Sequence, residues 1–153
     1  MRVVAGTKKG TVLKTPDGLV TRPTADRVKE AMFSIIQFDL PGAKVLDLFG
    51  GTGQLGIEAL SRGASYATFV DELDKACSLI KENIKRCGFQ EQSAVIRSDY
   101  AAFLKKCSVK FDIILLDPPY AEVFLENSLK LISEIDILQS GGIIVTERPL
   151  EKD

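Results

Sequence analysis

The sequence predicts an open, mostly parallel α/β sheet with helices on both faces. Three observations carry that reading. From residue 43 onward, apolar runs of strand length alternate with stretches of helical period, the mark of βα units. The run F-D-I-I-L-L-D at 111–117 is apolar almost throughout, as a central strand covered on both faces should be. Finally, K-V-L-D-L-F-G-G-T-G-Q-L-G-I-E-A at 44–59 joins a short apolar run to a helical pattern through a glycine-crowded turn.

Residues 2–15 read as two short strands, near Val3–Ala5 and Thr11–Lys14, around the turn-like T-K-K-G. After a second turn at Pro16-Asp17-Gly18, Thr24 is a candidate N-cap. Val28, Ala31, Met32 and Ile35 follow at i, i+3, i+4 and i+7, an amphipathic helix ended near Pro41-Gly42. Strand 43–48 then leads to helix 53–62, and strand 66–71 to helix 74–87 with the stripe Ala76, Leu79, Ile80, Ile84 and Cys87. Strand 93–98 leads to a short helix at 100–107, and strand 111–116 to helix 122–138. Gly141-Gly142 opens a last strand at 143–147. The reading gives one domain, 1–153, in which a basic hairpin and helix (1–40) precede a cofactor-binding core (41–153).

At 45% hydrophobic and 27% charged residues, composition is that of a soluble globular protein. The net charge of −1 hides an asymmetry. Residues 1–30 hold seven basic side chains against three acidic ones, so a basic arm precedes an acidic body. Either a polyanionic partner or a solvated basic hairpin accounts for that arm. Histidine is absent, and the three cysteines lack metal-ligand spacing, so neither zinc nor a histidine base is expected. Cys77 and Cys87 fall on an apolar helix side and read as core. No run is long enough for a signal peptide or a membrane span, and a cytoplasmic protein is expected.

The glycine turn at Gly50, Gly51 and Gly53 lets backbone approach a ligand closely at a helix N-terminus. Asp47 ends the strand before it, where it is placed to accept hydrogen bonds or attract a positive charge. Three further strands end in aspartate, Asp71, Asp99 and Asp117, on the rim where such sheets bind ligands. Asp71 follows Asp47 at the spacing at which a second-strand acid meets ribose hydroxyls. Asp99 suits an exocyclic amine, with the ring of Tyr100 packed nearby. Together they describe a pocket for an adenosine-containing cofactor.

Asp117-Pro118-Pro119-Tyr120 adds a second kind of group. Two prolines fix the backbone beyond the strand. The Asp117 carboxylate and the Pro118 carbonyl then offer two acceptors to an NH2 group, and Tyr120 offers a face for a planar base.

These residues resemble the class I S-adenosylmethionine-dependent methyltransferases that act on amino groups. More narrowly, R-V-V-A-G near the start, R-P-T-A-D-R-V-K-E-A-M-F at 22–33 and L-D-L-F-G-G-T-G-Q-L-G-I-E-A-L-S-R-G-A at 46–64 resemble the bacterial guanine-N2 methyltransferases of small-subunit ribosomal RNA. The resemblance implies a Rossmann-like sheet of order 3-2-1-4-5. It also implies S-adenosylmethionine held by Asp47, Phe49, Gly51, Gly53, Asp71, Asp99 and Tyr100. A guanine would be held by Asp117, Pro118 and Tyr120. Arg2, Lys8, Lys9, Arg22, Thr24 and Arg27 would face small-subunit RNA or an assembling subunit, with no metal and no membrane involved. Relatives usually continue into a C-terminal β-hairpin, so that hairpin is expected to be missing here and a sheet edge left uncovered.

The implied reaction is in-line transfer, in which the protein contributes positioning and a preorganised pocket. Three other readings stand beside it. An adenine-N6 DNA methyltransferase shares D-P-P-Y. An NAD-dependent oxidoreductase would use Gly51, Gly53 and Gly56. An RNA-binding assembly factor would use the fold without catalysis.

Overall fold

The computed structural model describes residues 1–16, 23–117 and 121–146; of residues 23–26 and 121–124 only the backbone is described. Along the chain come α1 (Pro23–Ile35), β1 (Lys44–Asp47), α2 (Gln54–Ser61), β2 (Tyr66–Asp71) and α3 (Asp74–Cys87). A 3-10 turn (Gln90–Gln92) precedes β3 (Ser93–Arg97), and α4 (Tyr100–Lys106), β4 (Phe111–Leu116), α5 (Ala121–Glu134) and β5 (Leu138–Thr146) complete the order. The strands form one sheet in the order β3-β2-β1-β4-β5, parallel throughout. This is the expected topology.

Strand alternation divides the core between the two faces. Val45, Ala67, Phe69, Ile113 and Leu115 point to one side, where α2, α3, the N-terminal arm and α1 contribute Ile57, Ile80, Ile84, Val3, Leu13 and Phe33. Leu46, Leu48, Val70, Ile114 and Leu116 point to the other, against Leu104 of α4 and Leu125 and Ile132 of α5. Apolar side chains on both faces are why these strands read as continuous hydrophobic runs. Cys77 and Cys87 are buried as expected, and burial pushes both thiols above their usual range.

Four elements differ from the sequence reading. The N-terminal strands reduce to a single antiparallel bridge, Arg2 with Val12, flanked by the bonds Val3 N–H to Thr11 O and Leu13 N–H to Met1 O. Helix α1 opens on Pro23, a residue suited to the first helical position, so Thr24 lies inside the helix and is not its cap. α1 also ends at Ile35 and is rotated about its axis by one residue. Lys29, Phe33 and Ile36 are buried, while Ile35 is 81% exposed. The rotation follows from an ion pair that brings Lys29 inward. Helix α5 stops at Glu134, and β5 starts five residues before the expected strand. Gly141-Gly142 sits inside β5, where the pairing with β4 jumps from Phe111↔Leu138 to Ile113↔Ile143. Such an irregularity absorbs extra residues in one strand.

Candidate functional site

The site lies at the carboxyl ends of β1, β2 and β4, where strand order reverses on either side of β1. Beyond β1 the chain is pinned to both neighbours: Leu48 N–H donates to Leu115 O, and Gly50 N–H to Val70 O. The turn then closes with Gly53 N–H donating to Gly50 O. Gly51 (φ 61°) and Gly53 (φ 85°) both adopt left-handed backbone, which a side chain would strain. Gly56 serves packing instead: a Cβ there would lie 2.3 Å from the ring of Phe69. The three glycines thus bend the turn and let α2 rest directly on the sheet.

A cleft of about 1500 Å³ opens over this turn. Phe49, Gly51, Asp71, Asp99, Tyr100 and Asp117, all expected at the site, line it together. The Asp71 carboxylate receives Gly51 N–H and Leu73 N–H, each at 3.0 Å, which fixes it between the turn and the start of α3. Its oxygens keep lone pairs for further donors. Asp99 caps α4 through one oxygen, accepting from Ala101 N–H and Ala102 N–H. The rings of Phe49 and Tyr100 pack 5.3 Å apart at 42°, an apolar wall beside these acids.

Asp47 and Gly53 do not line the cleft. Asp47 is buried behind the turn, where its Oδ2 accepts Gly56 N–H at 3.0 Å and its Oδ1 has no partner among the described residues. Burial, with Asp117 and Asp71 adding repulsion against the Gly56 bond, pushes its carboxyl from 3.8 up to about 8. Between those values the folded state holds a proton that the unfolded state releases, so stability falls as pH rises through this window. Asp47→Asn removes the titration. Its melting temperature is expected to stay flat from pH 5 to 8 while that of the parent declines, by up to about 1.4 kcal/mol per pH unit in stability. Parallel curves for the two proteins would refute this.

The basic residues separate in space. Arg2 sits in the N-terminal bridge, and Lys8 N–H donates to Ser61 Oγ at the far end of α2. Lys8 and the adjacent Lys9 therefore lie about 12 Å of helix away from the glycine turn. Lys14, which was not singled out, lines the cleft, and Arg27 is exposed on α1. Pro118, Tyr120 and Arg22 lie outside the described residues, as does the side chain of Thr24.

Sequence reasoning also missed three buried polar residues. Glu58 of α2 and Lys29 of α1 are buried as a pair at 3.6 Å, and Glu58 also meets the partly exposed Arg62 at 2.8 Å. Asn83 of α3 is fully buried. A Glu and an Asn on apolar helix faces were the available signals.

A parallel sheet of this order, with a glycine-rich first turn and acids at the following strand ends, is the class I methyltransferase architecture. The family model described as "Conserved hypothetical protein 95" matches residues 1–153, and the chain belongs to that family. It is 44% identical over 154 residues to "Putative rRNA methyltransferase YlbH" of Bacillus subtilis, covering 99% of this chain and 84% of that protein. Against "Ribosomal RNA small subunit methyltransferase D" of Haemophilus influenzae it is 36% identical over 157 residues, covering 99% and 80%. The solved structure "Putative methyltransferase yhhF from Escherichia coli" superposes with a TM-score of 0.85 at 27% identity, covering 95% and 78%. The family anticipated from the R-P-T segment and the glycine turn is the one found.

Among the described residues no helix is long and apolar enough to cross a membrane, and no group of three or more His, Cys, Asp or Glu is placed to hold a metal.

Proposed function

We propose that this chain is a ribosomal RNA methyltransferase that uses S-adenosylmethionine and acts on the exocyclic N2 amine of a guanine in the small-subunit RNA. The observation that carries the reading is the meeting, in one cleft, of the glycine turn, Asp71, Asp99 and Asp117. Asp71, already oriented by two backbone donors, suits the ribose hydroxyls. Asp99 and the Phe49–Tyr100 wall suit a planar base with an amine, and Gly51 lets backbone approach the methionine end. Bound there, the cofactor supplies an electrophilic methyl group. Asp47 and Gly53 support the turn from behind.

The chain's contribution is to place the target amine. Asp117, just past β4, accepts from its N–H groups, and Pro118 and Tyr120 extend that hold in the proposal. An amine whose lone pair is delocalised into a ring gains nucleophilicity when such acceptors hold it out of the ring plane. Because a paired base hides its amine, the guanine is taken flipped out or from a loop. We assign residues 1–153 to one working unit in the cytoplasm, with Arg2, Lys8, Lys9, Arg22, Thr24 and Arg27 on the RNA side.

Transfer of labelled methyl to unmodified small-subunit RNA or particles, compared with DNA and followed by nucleoside analysis, tests the reading. N2-methylguanosine is the expected product. N6-methyladenine in DNA would replace the substrate, and binding of RNA and cofactor without any label would make the protein an assembly factor. Arg27→Ala is expected to weaken RNA binding and lower the salt slope of log Kd by about one. An unchanged slope removes Arg27 from the interface.

A further inference from the structure

Three segments distant in sequence meet at Asn83, whose side chain is 0% exposed. Its Oδ1 accepts Lys14 N–H at 2.7 Å, and its Nδ2 donates to Lys14 O at 2.9 Å. The amide therefore pairs with the N-terminal arm as a neighbouring strand would. Nδ2 donates its other hydrogen to Thr52 O, also at 2.9 Å. Thr52 lies between Gly51 and Gly53, two residues whose left-handed backbone leaves the peptide orientation weakly specified by sterics. A second contact runs the same way, Thr52 Oγ1 to Met1 Sδ at 3.5 Å. Met1, Lys14, Thr15 and Pro16 of the arm line the same cleft as the glycine turn.

We propose that Asn83 is a positioning residue of the cofactor site: it fixes the glycine turn through Thr52 and docks the N-terminal arm as the outer wall of the cleft. The inference rests on the methyltransferase reading, since the ligand it serves is the cofactor. An amide is required at this position. A carboxylate has no hydrogens to give and would face two carbonyl oxygens, whereas alanine leaves three backbone groups without partners. The arm thereby belongs to the cofactor site as well as to the RNA side of the protein.

The test is calorimetric binding of S-adenosylhomocysteine to the full chain, with melting temperature measured in parallel. Asn83→Asp and Asn83→Ala are expected to weaken binding by about tenfold or more, the scale of lost positioning contacts. Glu58→Gln serves as the comparison, because it loosens the arm at its other end, where Glu58 accepts from Val4 N–H and Ala5 N–H. It is expected to lower melting temperature and leave the Kd within about twofold. Equal binding by the parent and the Asn83 variants overturns the inference, as does equal weakening by Glu58→Gln. If the Asn83 variants do not fold, hydrogen exchange on the parent decides. S-adenosylhomocysteine is expected to slow exchange of the Lys14 amide, and unchanged exchange would overturn the proposal. A parent that binds no S-adenosylhomocysteine removes the methyltransferase reading and this inference together. Binding by the parent with no effect at Asn83 removes the inference alone.

Discussion

Replacing Asp117 by alanine is expected to abolish methyl transfer to ribosomal RNA, a fall of at least about a hundredfold in kcat/KM. Binding of S-adenosylhomocysteine is expected to remain close to that of the parent. Asp117 stands at the exit of β4, on the far side of β1 from Asp71 and Asp99, and all three line one cleft. In the proposed reading the β2 and β3 acids hold the cofactor, and Asp117 receives the incoming amine. Its acceptor oxygens matter most as the amine nitrogen rehybridises, so the loss should appear in kcat more than in KM. Asp117→Asn keeps one acceptor oxygen and is expected to retain part of the activity. Loss of cofactor binding in Asp117→Ala would move the residue to the cofactor side.

Glu58→Ala should be the most destabilising single substitution among those considered. The carboxylate accepts from Val4 N–H at 2.9 Å, Ala5 N–H at 3.0 Å and Arg62 Nε at 2.8 Å, and it pairs with Lys29 Nζ at 3.6 Å. Glu58 and Lys29 are 1% and 3% exposed. Alanine leaves two arm N–H groups without their acceptor and takes a carboxylate away from a buried ammonium. Removing one member of such a pair costs about 3–5 kcal/mol. In a chain of this size that lowers the melting temperature by roughly 10 °C. Lys29→Met is expected to cost less, because it removes the charge that needs compensation while Glu58 keeps Arg62 and both backbone donors. Thermal and urea unfolding of the two variants check this. A larger loss for Lys29→Met would place the main stabilisation in the ammonium, through its bond to Arg2 O.

Asp117 was legible because it ends an apolar strand beside two prolines and a tyrosine, all local in sequence. The pairing of Glu58 with Lys29 was not. Residue 58 reads as one polar position on an apolar helix, and its partner lies in another helix whose rotation depends on the pair itself. The same circularity explains Ile35, placed in the core by its spacing but exposed because Lys29 turns inward. Asn83 binds partners 69 and 31 residues away, a reach that no window of periodicity covers. Asp47 was read as a pocket residue because its strand ends there. Tertiary structure instead faces it towards Gly56 N–H, behind the turn.

The sequence by itself determined the alternation of strands and helices, the glycine turn and the acids at the strand ends, each written in local periodicity or turn chemistry. The strand order came with the family resemblance. Only the tertiary structure decided which polar groups lie inside. Burying an amide or a charge is tolerable when a partner is already in place, and here the partners come from distant parts of the chain.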